Sequence, residues 1–317
     1  MTYCVGIRLD AGLVFLSDSR TNAGLDAIST FRKMMIYEQP GERFMVMLSA
    51  GNLSISQSVR EILQLEKIDR GPDQPALTIW NAESMFDAVR VLGSAVRRVY
   101  HQDGPSLKAA GIDFNASMIF GGQIKGEAMR MFLVYSAGNF IEATRETCFF
   151  QVGESKYGKP ILDRVLTPAT PLDEAAKCAL VSMDSTLKSN LSVGLPLDLL
   201  VYREGSFQSD QMVCIDERNP YFQMIHSTWG QRSSMLSSAI SLLWSQPKRR
   251  AASAASRSWR ACSTSAPPTI STTPNWRHCW PPACATPTAW PGSPMARCSG
   301  PWSTSATRSA ATSFPTT

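Results

Sequence analysis

The alternation of apolar and polar residues predicts that the chain opens with strands. Residues 3–9 and 13–18 are apolar-rich runs of β-type composition, separated by a short connection that contains glycine. Residues 33–38 and 43–49 form a second pair of such runs across a Pro-Gly turn. The first fifty residues therefore predict four strands in two hairpins, with a loop around 20–27 between them.

After residue 50 the apolar spacing changes to the three and four residues of an amphipathic helix. Two helices are predicted in succession, and Asn81 is the expected N-cap of the second because its side chain can accept from free backbone N–H groups. The two apolar stripes are Ile55, Val59, Ile62 and Leu63, and then Phe86, Val89, Leu92, Val96 and Val99.

Between residues 114 and 215 the sequence predicts two further strands, then two helices, then two more strands. Thr170 is the expected N-cap of the last helix, with Pro171 at its first position. This order predicts an α+β protein in which two sheets pack face to face between outer helices, a four-layer αββα sandwich. The predicted segments are strands at 114–120, 129–135, 197–203 and 211–215, a helix at 156–166, and a helix that begins at Pro171 and includes Ala176, Leu180, Met183 and Leu187.

Charge is distributed unevenly along the chain. The formal net charge is +5, but all 26 acidic residues lie at or before Glu217, whereas nine of the 31 Lys and Arg residues lie in 231–317. The same tail holds six of the eight tryptophans and four of the eight cysteines. Beyond 235–244 it has no apolar period of 3.6 or 2 residues, so no packed element is predicted there.

Three interpretations of this basic tail are open: an arm that binds nucleic acid, an ordinary disordered linker, or the translation of a shifted reading frame. Arginine charge and tryptophan stacking suit an arm. Six tryptophans and four cysteines without any acid are unusual in natural disordered tails and favour a shifted frame. We therefore predict one folded domain at 1–230 and an unstructured tail at 231–317.

Several classes of protein find no support in the sequence. No run of 18 apolar residues and no signal-peptide pattern occurs, so a cytoplasmic protein is expected, with neither membrane nor nucleic acid as a partner. Cys279 and Cys284 near His278 lack zinc-ligand spacing, and no metal or other cofactor is expected. Four scattered cysteines before the tail form no C-x-x-C pair and are expected to be reduced thiols. They are Cys4, Cys148, Cys178 and Cys214.

Four separated positions match a known family in order and in expected role. Thr2 opens the first strand, Asp18-Ser19-Arg20 ends the second, Lys33 enters the third and Ser49-Ala50-Gly51 ends the fourth. In these residues the chain resembles the N-terminal nucleophile hydrolases of the proteasome β-subunit type. It resembles in particular the bacterial ancestral β-subunit group, Anbu, which is related to the heat-shock protease HslV. The resemblance covers about residues 1–230.

This resemblance implies a threonine-type hydrolase. A threonine hydroxyl is a weak nucleophile until a base takes its proton, and a free α-amino group on the same residue can be that base. Removal of Met1 would expose this amine on Thr2. Asp18 would orient Lys33, Lys33 would lower the pKa of the hydroxyl, and the Gly51 N–H would donate to the oxyanion. The alternative is that Lys33 and Asp18 form only a solvent-exposed ion pair at two strand ends.

The resemblance also implies residues around the reacting group. Arg20 would brace the site on the same strand face as Asp18. Thr21, Phe31 and Ser49 would line the substrate pocket. Phe31 would narrow that pocket, so a peptide with a modest apolar side chain before the scissile bond is the expected substrate.

Two supporting elements depart from the family pattern. The family places a serine directly after a glycine, where it bonds the threonine amine, but this chain has Gly153-Glu154-Ser155 and the serine is shifted by one. The family's Asp-x-x-Ser-Gly element appears as SNLSVG. Asn190 or Ser189 then stands for the aspartate, and Ser192 is the expected serine. A neutral group there would influence the amine less than a carboxylate does.

Three functions are consistent with these residues. The first is a threonine-type peptidase subunit of a self-compartmentalising homo-oligomer, in a ring or helical assembly, acting on a peptide or protein. The second is an N-terminal nucleophile amidase that acts on a small amide or short peptide. The third is a scaffold-forming homologue with weak or no activity. The sequence identifies no unfoldase partner.

The tail gives a first testable prediction. If 231–317 is read out of frame, the gene contains an insertion or deletion near the codons for Gln231 and Arg232, which resequencing will reveal; an intact frame would overturn this explanation. A truncation after Gly230 is expected to leave the melting temperature almost unchanged, because no periodic apolar face joins the tail to a core. A large drop would show that the tail is part of the fold.

Overall fold

The computed structural model describes residues 2–23, 27–209 and 212–228. The chain divides into two units, Met1–Lys248 and Arg249–Thr317, and every described residue belongs to the first. The predicted boundary at 230, and the predicted lack of structure in the tail, lie outside the described residues and stay predictions. None of the helices in the described ranges has both the length and the apolar character needed to cross a membrane.

Twelve strands and four helices have both ends within the described ranges, and residues 220–228 are also helical. In chain order these are β1 (Tyr3–Leu9), β2 (Gly12–Asp18), β3 (Arg20–Ala23), β4 (Ala27–Thr30), β5 (Met34–Gln39), β6 (Arg43–Gly51), α1 (Leu53–Leu65), α2 (Met85–Ala109), β7 (Ala116–Ile124), β8 (Arg130–Val134), β9 (Phe140–Glu142), β10 (Phe149–Gly153), α3 (Lys159–Val165), α4 (Leu172–Ser189), β11 (Leu197–Arg203) and β12 (Met212–Ile215).

The strands form two five-stranded antiparallel sheets and one two-stranded ribbon. The first sheet has the order β10-β1-β2-β11-β12, the second has the order β5-β6-β7-β8-β9, and β3 pairs with β4. The chain is thus a mixed α+β protein. The first strand lies inside its sheet, where Cys4 pairs with Ser17 on one side and with Val152 on the other.

Side chains that follow one another along β6 pack in different apolar clusters, because they point to opposite faces of the sheet. Met45 and Met47 pack with α1 and α2, whereas Val46 and Leu48 pack with residues of the first sheet such as Phe15. A third cluster joins β1 and β2 to α3 and α4. Because side chains on a strand alternate between faces, a single strand contributes to the packing on both sides of its sheet.

Most of the predicted elements are confirmed, and β1 and β11 have the predicted bounds. The ribbon β3–β4 lies in the predicted loop, since its strands have only four residues each and carry little apolar alternation. The short strands β9 and β10 were also not predicted. The third helix is shorter than expected, at Lys159–Val165.

Two predicted helix caps are wrong. The Asn81 side chain accepts from the N–H of Thr78 at 2.6 Å, within the preceding turn. The cap of α2 is Ser84, whose hydroxyl accepts from the N–H of Asp87 at 3.0 Å. The N-cap of α4 is Pro171 without a side-chain bond, because the Thr170 hydroxyl accepts from Thr167 instead. In both cases a nearby backbone N–H competes for the expected capping group.

Candidate active site

The backbone around Thr2 is held on both sides by hydrogen bonds. The Thr2 carbonyl accepts from the N–H of Glu154 at 2.8 Å, just beyond the end of β10. The N–H of Tyr3 donates to Asp18 Oδ1 at 3.0 Å, at the end of β2. Thr2 itself is only 9 % exposed. The start of β1 is therefore fixed between the ends of its two neighbouring strands.

Lys33 and Asp18 form a buried ion pair beside this strand. Lys33 directly precedes β5, and its Nζ lies 2.8 Å from Asp18 Oδ1. The same Nζ donates to the carbonyl of Arg20 at 2.7 Å. Lys33 is 5 % exposed and Asp18 is fully buried. The alternative of a solvent-exposed ion pair is therefore wrong.

Burial raises the pKa of Asp18 above the ordinary range of an aspartate. The charge and hydrogen bond of Lys33 oppose this shift, as do the backbone N–H groups of Tyr3 and Gly194. A buried carboxylate without hydrogen-bond donors would be protonated. The ammonium of Lys33 and the two backbone N–H groups therefore favour the charged form of Asp18. The charge at the site thus depends on three separate segments of the chain.

A cleft of about 720 Å³ opens at Thr2. Five of the residues predicted for the site line this cleft together. They are Thr2, Thr21, Lys33, Ser49 and Gly51. Thr2 therefore shares the cleft with residues of β3 and of the last part of β6. The wall is completed by residues that the sequence did not indicate. Most of these are polar, and they include Asn52, Ser56, Asn115, Ser117 and Glu154.

Gly51 is the last residue of β6 and has a φ of +108°. A β-carbon at this position would overlap the carbonyl oxygen of Asn115, which accepts from the N–H of Asn52 at 2.8 Å. The backbone conformation and the neighbouring strand thus both require glycine here.

The structure does not bring Phe31 into the cleft. Phe31 is 40 % exposed, and its N–H donates to the carbonyl of Ser19 at 2.8 Å in the segment between β4 and β5. The proposed apolar wall of the substrate pocket is therefore not formed by this residue. Arg20 likewise reaches Lys33 only through its carbonyl, while its side chain packs over Gly194 and lines a different cavity.

The supporting residues of the altered family elements also lie outside the cleft. Gly153 has a φ of +85°, and this bend places Glu154, rather than Ser155, in the cleft wall. Ser155 closes a turn by donating from its N–H to the Gly153 carbonyl at 3.0 Å. Asn190 caps α4, and its Oδ1 accepts from the N–H of Ser192 at 2.8 Å. The Asn190 side chain therefore satisfies a nearby backbone N–H and not the Thr2 amine.

Glu154 is the charged residue of the cleft wall that the sequence reasoning missed. Its side chain is 12 % exposed, and its carboxylate forms an ion pair at 3.5 Å with Lys156, a residue of the surface. Its Oε2 atom is buried and makes no hydrogen bond within the described ranges. The departure Gly-Glu-Ser was the available signal. Besides Lys33, Glu154 is the charged group of the cleft wall among the described residues.

The described residues hold no group of three or more His, Cys, Asp or Glu side chains arranged to bind a metal ion. The four cysteines outside the tail are free thiols. Three of them are buried, and Cys214 on the edge strand β12 is exposed. The Cys4 thiol, two residues after Thr2 in the chain, donates weakly to the Ser49 carbonyl at 3.7 Å. Burial raises the pKa of this thiol. Such a thiol is inert at neutral pH.

Neither a family model nor a curated protein matches the chain. Solved structures do match. The chain is 50 % identical to Anbu (ancestral beta-subunit) from Yersinia bercovieri, over 78 % of this chain and 98 % of that one, with a TM-score of 0.66. It is 46 % identical to the protein in the helical assembly of the Anbu complex from Pseudomonas aeruginosa, over 78 % and 98 % of the chains, with a TM-score of 0.68. An Anbu (Gly-1) mutant from Hyphomicrobium sp. strain MC1 is 46 % identical over 76 % and 97 %, with a TM-score of 0.67.

Relatives of this identity and coverage place the fold among the proteasome-like N-terminal nucleophile hydrolases. Within that class, the chain belongs to the Anbu, or ancestral β-subunit, family. The family expected from Thr2, Asp18, Lys33 and Gly51 is thereby confirmed. About a fifth of this chain has no counterpart in these relatives.

The buried pair yields a prediction for stability. Asp18→Asn is expected to lower the free energy of unfolding by about 3–5 kcal/mol, because it leaves the Lys33 ammonium buried without a countercharge. Adding Lys33→Met should restore much of this loss, since the double variant buries no charge. Chemical denaturation at one protein concentration measures both effects.

The exposed pair between Arg130 and Glu142 is the matched control. Its two nitrogen–oxygen distances are 2.6 and 2.8 Å, similar to those of the buried pair. Glu142→Gln is expected to cost at most about 1 kcal/mol, because water already solvates both groups. If Asp18→Asn lowers the free energy of unfolding no more than this control does, the buried Lys33 ammonium does not need Asp18 as its countercharge.

Proposed function

We propose that the protein is a threonine-type peptidase subunit of a proteasome-like homo-oligomer, with Thr2 as the N-terminal nucleophile after removal of Met1. The observation that carries the proposal is the position of Thr2 in the cleft wall beside Lys33, whose Nζ is fixed by Asp18 at 2.8 Å and by the Arg20 carbonyl at 2.7 Å. A fixed ammonium next to a hydroxyl favours the charged, nucleophilic form of that hydroxyl.

The reaction then proceeds through an ester of Thr2. The free α-amine takes the hydroxyl proton while Oγ attacks the carbonyl carbon of the substrate amide. Lys33 stabilises the charge that develops on Oγ, and the Gly51 N–H donates to the oxyanion. The α-ammonium returns the proton to the leaving amine as the carbon–nitrogen bond breaks. Water, deprotonated by the same amine, hydrolyses the ester and regenerates Thr2.

The packing supports the rigid placement that this chemistry needs. We propose that the two sheets and the helices on their outer faces form a four-layer αββα arrangement, in keeping with the three apolar clusters. Thr2 then directly precedes β1, an inner strand of one sheet, while Lys33 directly precedes β5 and Gly51 ends β6 in the other sheet. Groups held on strands keep a reactive geometry better than groups on long loops.

Self-association is proposed from the relatives. The solved structure from Pseudomonas aeruginosa is described as a helical assembly of the Anbu complex. We infer that this chain also assembles with copies of itself, in a ring or a helical form, and that it acts in the cytoplasm on a peptide or protein. A small amide as the substrate of an N-terminal nucleophile amidase stays an alternative, and the size of the assembly separates the two.

One observation favours a weakly active or inactive scaffold instead. Ser155, Asn190 and Ser192 do not line the cleft, and the Asn190 side chain, expected to stand for the family's aspartate, accepts from the N–H of Ser192 instead. The reactivity of Thr2 decides between the peptidase and the scaffold.

A peptide epoxyketone, which needs a hydroxyl and a free amine on one residue, tests the proposed nucleophile. We expect it to form a ring adduct on residue 2 of the protein without Met1, detected by mass spectrometry of the N-terminal peptide. Thr2→Ser should keep some reactivity because it keeps the hydroxyl, and Thr2→Ala should lose it. Lys33→Ala should also lose the adduct.

The controls separate loss of chemistry from loss of structure. Because Lys33 is buried, its alanine variant is compared with Lys33→Met at equal assembly, as judged by size-exclusion chromatography. An assembled protein that retains Met1 has an amide in place of the amine, and this would remove the peptidase assignment in favour of the scaffold.

Glu154 predicts the charge preference of the substrate. With Phe31 outside the cleft and Glu154 in its wall, peptides with a basic group near the scissile bond should be cleaved faster than their acidic counterparts. Glu154→Gln is expected to reduce the ratio of the two kcat/KM values by about tenfold. Glu83→Gln, an exposed glutamate outside the cleft, is the control and should leave the ratio unchanged. An unchanged ratio in Glu154→Gln would exclude this role.

A further inference from the structure

A second cavity lies behind the Lys33–Asp18 pair. It has a volume of about 450 Å³, within the usual range of small-molecule sites, and it shares no lining residue with the cleft at Thr2. Arg20 and Gly194 form the wall nearest the pair. A β-carbon on Gly194 would overlap Arg20 Cδ, so the arginine side chain rests directly on the glycine backbone.

The polar part of this cavity has more cationic than anionic side chains among the described residues. Within the described ranges Arg20 forms no ion pair, and its Nε is buried without a hydrogen-bond acceptor. A buried donor without an acceptor is costly, so it marks a place for an incoming acceptor. Lys188 also lines the cavity and has no ion pair within the described ranges, and Glu217, the acidic residue of the described lining, is exposed. His226 is bonded through Nδ1 to Asp184 at 2.6 Å.

The remaining wall of the cavity is apolar. Val193 and Phe222 are almost fully buried, at 2 % and 5 % exposed, and Leu187 and Leu195 are partly buried beside them. An occupant must therefore have an anionic head for the arginine and a hydrocarbon body for these side chains. Arginine prefers a planar head, because its guanidinium donates two parallel hydrogen bonds to a carboxylate.

We propose that this cavity binds a small amphipathic carboxylate, with its head on Arg20 and Lys188 and its aliphatic chain against Val193 and Phe222. Nothing in the chemistry at Thr2 requires such a site. Binding of the carboxylate is therefore independent of the proposed function. The effect of binding on the reactivity of Thr2, described next, rests on that function.

An occupant of this cavity acts on both members of the buried pair. The carbonyl of Arg20 accepts from Lys33 Nζ at 2.7 Å, so holding the Arg20 side chain also fixes the main chain that positions the ammonium. Gly194, under the same side chain, contributes a backbone N–H that lowers the pKa of Asp18. Occupancy should therefore change the reactivity of Thr2 without contact with it.

Isothermal titration calorimetry of the assembled Thr2→Ala protein with octanoate tests the binding. Octanoate should bind, whereas octylamine of the same length should not. Arg20→Gln and Lys188→Gln should each weaken octanoate binding about tenfold through loss of a charge-assisted hydrogen bond. Lys177→Gln, on the same helix α4 but outside the cavity, should bind as the parent does.

The result that overturns the site is equally specific. No octanoate binding, equal binding of octylamine, or unchanged affinity in Lys188→Gln would each exclude it, and so would unchanged affinity in a folded Arg20→Gln protein. Lys188 is exposed, so its variant decides the question even if Arg20→Gln fails to fold.

The effect on Thr2 is measured with the wild-type residue at position 2. Octanoate should change the rate of epoxyketone adduct formation at least twofold, and Lys188→Gln should need a correspondingly higher octanoate concentration. Binding with an unchanged rate would exclude the coupling. If no adduct forms under any condition, the proposed peptidase function fails, while calorimetry still decides whether the cavity binds the carboxylate.

Discussion

The buried ion pair between Lys33 and Asp18 is the constraint on which the rest of the site depends. Two charges far from water are stable only when further donors and acceptors surround them. Here the partners come from distant parts of the chain: the N–H of Tyr3, the carbonyl of Arg20 and the N–H of Gly194. The need to satisfy this pair therefore aligns the first strand, the end of the second and the loop before β11.

The sequence predicted much of this arrangement because the relevant signals are local or recur in order. Apolar-rich runs of β-type residues identified β1 and β11 at their observed bounds, since most positions of each strand are buried. Thr2, Lys33 and Gly51 stand at the ends of strands, and the family resemblance assigned them to one site. The structure places all three in the wall of the same cleft.

The side chains that the sequence placed wrongly lie in short connections, where the backbone conformation decides which way each side chain points. The residue pattern does not encode that conformation. A single left-handed residue, Gly153, turns Glu154 toward the cleft and Ser155 away from it. The same kind of local choice binds Asn190 to the backbone of Ser192 and leaves Phe31 partly in solvent. Side chains in short connections follow the nearest unsatisfied backbone group, and a residue pattern alone cannot rank those competing partners.

The hydrogen bonds that hold Thr2 and Tyr3 have a consequence for maturation. They use the carbonyl of Thr2 and the N–H of Tyr3, and so none of them involves the peptide bond that precedes Thr2. Cutting that bond would create a new charge at the end of β1 without removing any of these anchors. If Met1 is removed as proposed, the new α-amino group of Thr2 would therefore take its position without breaking any of the hydrogen bonds that hold the start of β1.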